Sequence, residues 1–192
     1  MKREDALLLL FALILFFSVI MLLLHYSKLT GYATSGSTVS NVTITSYLSI
    51  SMSANLQEGI LFGSVDTLPA LNISASHNYD GGSSASTMFI NVSTDSNTAV
   101  DFCIKANAGL QTSGAEIGIG NETYSNSTST NSTVPAIANN VSLTTGYVKN
   151  GANVAQGNSN YYRFWLNIPA AQAPGTYNNS VSFKGVATTV AC

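Results

Sequence analysis

Residues 161–169 read YYRFWLNIP, and in them Tyr162, Phe164, Leu166 and Ile168 fall at every second position while Tyr161, Arg163, Trp165 and Asn167 take the places between. Apolar side chains with a period of two belong to a β-strand that buries one face. The same pattern recurs outward along the chain. In residues 41–53, NVTITSYLSISMS, the even positions Val42, Ile44, Leu48, Ile50 and Met52 are apolar and Thr43, Thr45, Ser49, Ser51 and Ser53 are polar, which predicts a long first strand. Met88, Ile90 and Val92 repeat it, and so do Val100, Phe102, Ile104 and Ala106 in AVDFCIKA, with the turn-rich segments HNYDGGSS and TDSNT around them. Further strands are expected around Ile117 and Ile119, around Val141, Leu143 and Tyr147, and in TYNNSVSFKGV, where Tyr177, Val181 and Phe183 share parity. Weaker ones at 60–65 and 71–75 bring the number to about nine. Helical periodicity is absent after the leader. An all-β fold follows, with two packed antiparallel sheets burying all these single apolar faces.

Ahead of this body, residues 6–24 are apolar except Ser18. As a helix rising about 1.5 Å per residue they span roughly the 30 Å hydrocarbon core of a bilayer. Lys2 and Arg3 precede the run, so the positive-inside rule keeps the N-terminus cytoplasmic and sends the rest outward, with Tyr26 and Tyr32 as interfacial anchors. Two fates stay open. The apolar run exceeds the roughly 7 to 15 residues of a cleaved signal, which favours a retained anchor. Gly31-Tyr32-Ala33, however, sets small residues where a signal peptidase reads them, and cleavage near Ala33 yields a secreted protein. A prepilin-type leader is disfavoured because MKRED has no Gly before Ala6. The expected organisation is a hydrophobic helix over 1–28, a flexible tether over 29–40 and a single β-sandwich over 41–192.

Composition narrows the function classes. Hydrophobic residues make up 45% of the chain but charged ones only 8%, against about a quarter in an average soluble domain. Ser, Thr, Asn and Gly replace them, and a neutral hydroxyl and amide surface is kept soluble by attached sugar as well as by charge. Beyond residue 28 the bases Lys105, Lys149, Arg163 and Lys184 face the acids Glu58, Asp66, Asp80, Asp95, Asp101, Glu116 and Glu122, a balance that argues against nucleic-acid binding. Sequons N-x-[ST] occur at Asn41, Asn72, Asn91, Asn121, Asn126, Asn131, Asn140 and Asn178, in a composition that generates some by chance. Three of them lie in NETYSNSTSTNSTVP, 121–135, whose polarity predicts an exposed loop.

The two cysteines, Cys103 and Cys192, read first as a disulfide outside the cytoplasm; two free thiols or a bond between chains are the alternatives. Cys103 shares the parity of Asp101 and Lys105, so the bridge belongs on the non-core face or edge of its sheet. No spacing suits a structural zinc. His77 in SASHNYDGG is the one histidine of the body and reads as a turn residue; no G-x-S-x-G elbow exists, and the acids show no facing pair for glycosidase work. No enzymatic role and no cofactor is implied. Calcium held by Glu58, Asp66, Asp80 and Asp95 at one end of the sandwich is a weaker reading without EF-hand spacing. The outward row Tyr161, Arg163 and Trp165 suits either a surface contact for sugar or partner, with Arg stacked between aromatics, or plain packing beneath a loop, the better of the two.

ISMSANLQEGILFGSVD at 50–66, AVDFCIKA, and above all YYRFWLNIPAAQAPGTYNNSVSFKGV at 161–186 resemble small archaeal surface proteins with immunoglobulin-like β-sandwiches. More distantly they are similar to secreted filament subunits of the camelysin and biofilm-fibre type. The resemblance implies an extracellular sandwich that can assemble by lending its N-terminal strand to a neighbour, and it carries no functional residue across. Structural or adhesive work at the cell surface is the expected function, with a strand-exchanged filament subunit and a carbohydrate- or calcium-binding module as alternatives. The expected partners are the membrane, further copies of the chain and other envelope proteins.

Overall fold

The computed structural model describes residues 3–26, 39–79 and 85–192. They fall into two compact units that divide between Thr43 and Ile44. In the first, α1 runs over Arg3–Tyr26, with Glu4 and Asp5 in its first turn, where the helix dipole favours negative charge. Its 24 residues reach about 36 Å at the usual rise. Within the 22 residues Arg3–Leu24 the most apolar 18-residue stretch has a mean hydropathy of 3.3, so the helix is long and apolar enough to cross a membrane. The segment Gly31-Tyr32-Ala33 and most of the expected tether lie outside the described residues.

The second unit is built of antiparallel strands, as the period-two pattern requires. Strand β1 (Ile50–Met52) is followed by a short helix α2 (Ala54–Glu58), then β2 (Ala70–Ser74), β3 (Met88–Val92), β4 (Val100–Ala106), β5 (Leu110–Thr112) and β6 (Ala115–Ile117). After these come β7 (Glu122–Ser127), β8 (Val141–Ser142), β9 (Val148–Val154), β10 (Ser159–Ile168) and β11 (Val181–Ala187). The larger sheet runs β1-β3-β10-β7-β8 with β2 also paired to β10, the smaller runs β11-β4-β9, and β5-β6 is a separate hairpin. Strand β10 is the axis of the larger sheet. It pairs β3 at Tyr162↔Met88, β2 at Trp165↔Ser74 and β7 along its other side from Tyr161↔Ser127 to Leu166↔Glu122.

The two sheets share one core. Met88, Ile90, Val92, Tyr124, Tyr162 and Phe164 come from the larger sheet and Val100, Phe102, Ile104, Ala106 and Val154 from the smaller, with Val181 and Phe183 packed against them. Each fully buried side chain of this size contributes roughly 1.5–3 kcal/mol. Gly185 lets the sheets meet at the β1/β11 side, because a Cβ there would lie 3.1 Å from Ile50 Cγ2 and 3.0 Å from Val100 Cγ1. A three-stranded sheet cannot cover a six-stranded one. The remaining apolar surface, Leu166 with Ile73 and Ile168, is covered by Leu110 and Ile117 of the β5-β6 hairpin and by Phe62 and Tyr177.

Several expectations are corrected by this architecture. The first strand shrinks from 42–52 to Ile50–Met52, because its partner β3 ends at Val92 and the chain then turns. Asn97 substitutes for a strand there: its side-chain Oδ1 accepts from Tyr47 N at 2.7 Å and its Nδ2 donates to Thr45 O at 3.0 Å. Val42 and Ile44 stay exposed, at 81% and 80%. Residues 60–65 pair with no strand, although Ile60 and Phe62 still pack on the core. Ile119 belongs to a 3-10 turn, and Tyr177 precedes β11 rather than joining it. The absence of helix also needs amendment, since α2 exists, with the Oγ of Ser53 accepting from Leu56 N at 3.3 Å and from Phe89 N at 3.1 Å.

The largest correction concerns 121–135. Residues 122–127 of this polar stretch are strand β7, inside the larger sheet, and Glu122, Thr123, Tyr124 and Ser125 are buried. Polar side chains are tolerated in a buried strand when each finds a partner, as Thr123 does by donating to Trp165 O at 3.3 Å.

Candidate functional site

The row Tyr161, Arg163, Trp165 lies on the face of β10 turned away from the main core, as its parity requires. It is not a surface platform. Arg163 is 1% and Trp165 3% exposed, and Tyr161 is half-buried against Phe89, with ring centroids 5.5 Å apart. What covers Arg163 is the turn at 76–79 and the loop at 131–135. Its Nε donates to Asn78 O at 2.9 Å, Nη1 to Pro135 O at 2.9 Å and Nη2 to Asn131 O. Its Cζ stands 4.5 Å from the ring centroid of Tyr79, so the cation-π contact is with that ring rather than with the neighbours in the row. Burial pulls the guanidinium's pKa down and Tyr79 partly offsets this. The planar fork serves as a clamp on backbone carbonyls.

Asn78 completes the clamp. Fully buried, it donates from Nδ2 to Phe164 O at 2.7 Å and accepts from Phe164 N at 2.8 Å, so one amide side chain stands where a neighbouring strand would pair with β10.

On the smaller sheet Cys103 and Cys192 are joined, with their Cα atoms 5.9 Å apart. Cys103 is fully buried yet outside the shared apolar core, the non-core position its parity assigned. On that face too, burial pushes the Asp101 carboxyl up, but hydrogen bonds from Lys149 and from Asn153 N at 2.8 Å, together with the lysine charge, hold it below the usual carboxylate value.

Glu122 is the buried carboxyl without a counter-ion in its contacts. It is 1% exposed, and its Oε2 accepts from Asn179 Nδ2 at 2.7 Å. Burial raises its pKa above the ordinary 4.5, partly offset by Asn179. Glu122 forms part of the wall of a cleft of about 360 Å³ lined also by Leu56, Ile60, Leu110, Val181 and Phe183. A second, larger cleft of about 870 Å³ lies between residues 60–68 and 172–177 and shares Ile60, Leu61, Leu110 and Tyr177 with the first. Both have mixed walls, with Glu122, Asn178 and Asn179 among the apolar residues of the first and Asp66, Gln172 and Thr176 among those of the second. One carboxyl with only Tyr177 as a further titratable neighbour in the lining is no acid-base pair.

Because the fold favours the protonated form of Glu122, its contribution to stability is complete below about pH 4.5 and is lost as pH rises through the raised folded value. Glu122→Gln keeps an acceptor for Asn179 and removes that loss. Thermal unfolding from pH 4 to 8 is expected to show the variant more stable than the parent at neutral pH, the difference closing in acid. A difference independent of pH would rule out titration of this carboxyl as its source.

His77 sits in a surface turn with Nε2 3.1 Å from Glu58 Oε2. Among the described residues no three His, Cys, Asp or Glu side chains come together. Glu58, Asp66 and Asp95 therefore do not build a calcium cage with one another, and Asp80 lies outside the described residues. Of the sequon asparagines, Asn41, Asn72, Asn131 and Asn178 are exposed, and Asn91, Asn121, Asn126 and Asn140 are half-buried. Residue-by-residue reading missed Glu122, Asn78 and Asn179, whose partners lie 57 to 86 residues away. The one available signal was an acid placed in an otherwise neutral run. No protein-family model matches the chain, and no curated protein matches it.

Proposed function

We propose that this protein is an extracytoplasmic structural or adhesive protein of the cell surface. In this reading α1 holds it to a membrane or exports it, and its body is an immunoglobulin-like, N-glycosylated sandwich. The observation that carries the reading is the long apolar helix ahead of a body closed by a disulfide, a bond that persists in oxidising compartments. The neutral surface and the lack of convergent reactive groups among the described residues support a structural role over catalysis. Fractionation of the native host tests it. The chain should sediment with membranes or appear in the medium, and protease added to intact cells should remove any anchored body. Recovery in the cytosol, shielded from protease and with reduced thiols, would refute the proposal.

A second reading, a filament subunit that exchanges strands, is favoured by a separate observation. Val42 and Ile44 are alternating exposed apolar residues that the chain's own ladder leaves unused, and the body carries two clefts with apolar side chains in their walls. An extended segment of this kind adds to a neighbour's sheet by backbone pairing while alternate side chains enter pockets. Ile44→Asp should abolish sedimentable fibres without changing the unfolding midpoint of the monomer. Parent protein that stays monomeric under the same conditions counts against exchange.

A further inference from the structure

The eight sequons are equivalent as sequence but not as chemistry. N-glycosylation joins the amide Nδ2 of asparagine to C1 of a sugar carried on a lipid phosphate. The Nδ2–C1 bond forms, the C1–O bond breaks, the lipid phosphate leaves with the electron pair and one amide proton goes to solvent. A glycosylated asparagine thus keeps one N–H of two, and the sugar needs open space around the nitrogen.

Resting on the extracytoplasmic reading, we infer that the folded protein carries its glycans on Asn41, Asn72, Asn131 and Asn178 and leaves Asn91, Asn121, Asn126 and Asn140 bare. In the first group the residue is exposed, and Nδ2 donates no hydrogen bond among the described residues. The Asn131 side chain bonds through its oxygen, which accepts from Thr133 N at 2.8 Å, Thr133 Oγ1 at 3.1 Å and Val134 N at 3.0 Å and leaves the amide nitrogen unused among the described residues. Asn72 stands at the irregularity of the β2/β10 pairing with φ 54°, its backbone N–H taken by Asn167 Oδ1 at 2.8 Å. Asn178 pairs with Gln111 through its backbone alone, N to O at 2.9 Å and O from N at 2.8 Å.

In the second group the nitrogen is already employed. Asn126 spends both hydrogens, one on Asn150 O and one on Asn160 Oδ1 at 3.1 Å; Asn160 in turn donates to the buried Tyr162 hydroxyl at 2.7 Å. A sugar there removes one of those bonds and must occupy space between strands. Asn91 Nδ2 faces Ser159 Oγ at 3.2 Å and Asn158 O at 3.3 Å. Asn140 Nδ2 donates at 3.0 Å to Thr123 Oγ1, the buried hydroxyl of the Asn121 sequon, so one contact withdraws two sequons together. Asn121 is further held by its own bond to Gly118 O at 3.2 Å.

Glycopeptide mass spectrometry on full-length protein, made in a host with N-glycosylation and shown to contain the Cys103–Cys192 bond, tests the sorting. Glycopeptides are expected at the four open sites. Thr133→Ala should remove one glycan's mass, whereas Thr128→Ala, which destroys the Asn126 sequon without touching the Asn126 side chain, should remove none. A glycan on Asn91, Asn121, Asn126 or Asn140 of the disulfide-bonded protein overturns the assignment while leaving the export reading intact. No glycan at any site, with the disulfide formed, overturns glycosylation itself; a protein retained in the cytosol with free thiols overturns the export reading beneath it.

Discussion

Replacing Cys103 and Cys192 by serine is expected to lower stability by about 4–5 kcal/mol in the chain-entropy account of a cross-link. The bond closes a loop of 89 residues in sequence separation, and a loop of that length restricts the unfolded chain heavily. The cost falls on the smaller sheet. Strand β11 is an edge strand held by β4 alone, and the residues after it are tied down by the sulfur bridge and by Lys184 Nζ donating to Cys192 O at 2.7 Å. For a domain of this size the loss corresponds to roughly 10–20 °C in Tm. Thermal unfolding with and without reductant, alongside the double variant, checks it. Reductant should move the parent to the midpoint of the variant and leave the variant where it is. Equal midpoints for all samples would mean that the bridge contributes nothing to the folded state.

Arg163→Met should cost about 3–5 kcal/mol, the upper range for one substitution. Methionine fills much of the volume of the side chain, so the effect reports the polar contacts, the hydrogen bonds together with the cation-π contact to Tyr79. Carbonyls of Asn78, Asn131 and Pro135 all lose a charged donor, and each buried acceptor left unmet costs about 1–3 kcal/mol, reduced where water reaches it. Arg163→Lys should recover only part of the loss, since an ammonium cannot present the same planar fork to three separated carbonyls. The location of the damage is as diagnostic as its size. Hydrogen exchange should quicken first in the turn at 76–79 and the loop at 131–135, while the β4/β11 pair stays protected. Urea unfolding within about 0.5 kcal/mol of the parent, the usual range for an unimportant surface change, would show that the clamp is dispensable.

These two features were unequally legible. The disulfide was legible in the even cysteine count, and the parity of Cys103 with Asp101 and Lys105 placed it on the non-core face. Arg163 had the right parity and the wrong exposure. Alternation tells which side of a strand a residue occupies, but whether that side meets water depends on a loop arriving from 28 to 32 residues earlier in the chain. The expected exposed loop holds for 128–134 but not for 122–127: their polarity argued for solvent, yet β7 is buried because β10 and β8 pair with it on both sides and Asn179 and Asn140 arrive to satisfy Glu122 and Thr123. Strand β9, VKNGANV, escaped notice since only its Gly151 and Val154 are buried.

What the chain determined by itself is local and periodic: an apolar helix at its head, strands wherever apolar residues alternate, and the inward identity of Met88, Ile90, Val92, Phe102, Ile104, Tyr162 and Phe164. Side-chain direction along a strand is set by backbone geometry alone, so these survive any arrangement of the sheets. The tertiary structure decided which polar groups are buried, that Val42 and Ile44 find no place in the ladder, and which sequon nitrogens donate hydrogen bonds within the fold. Those outcomes depend on partners distant in sequence, and a hydrogen bond between residues 57 or 86 positions apart leaves no mark on the periodicity of either.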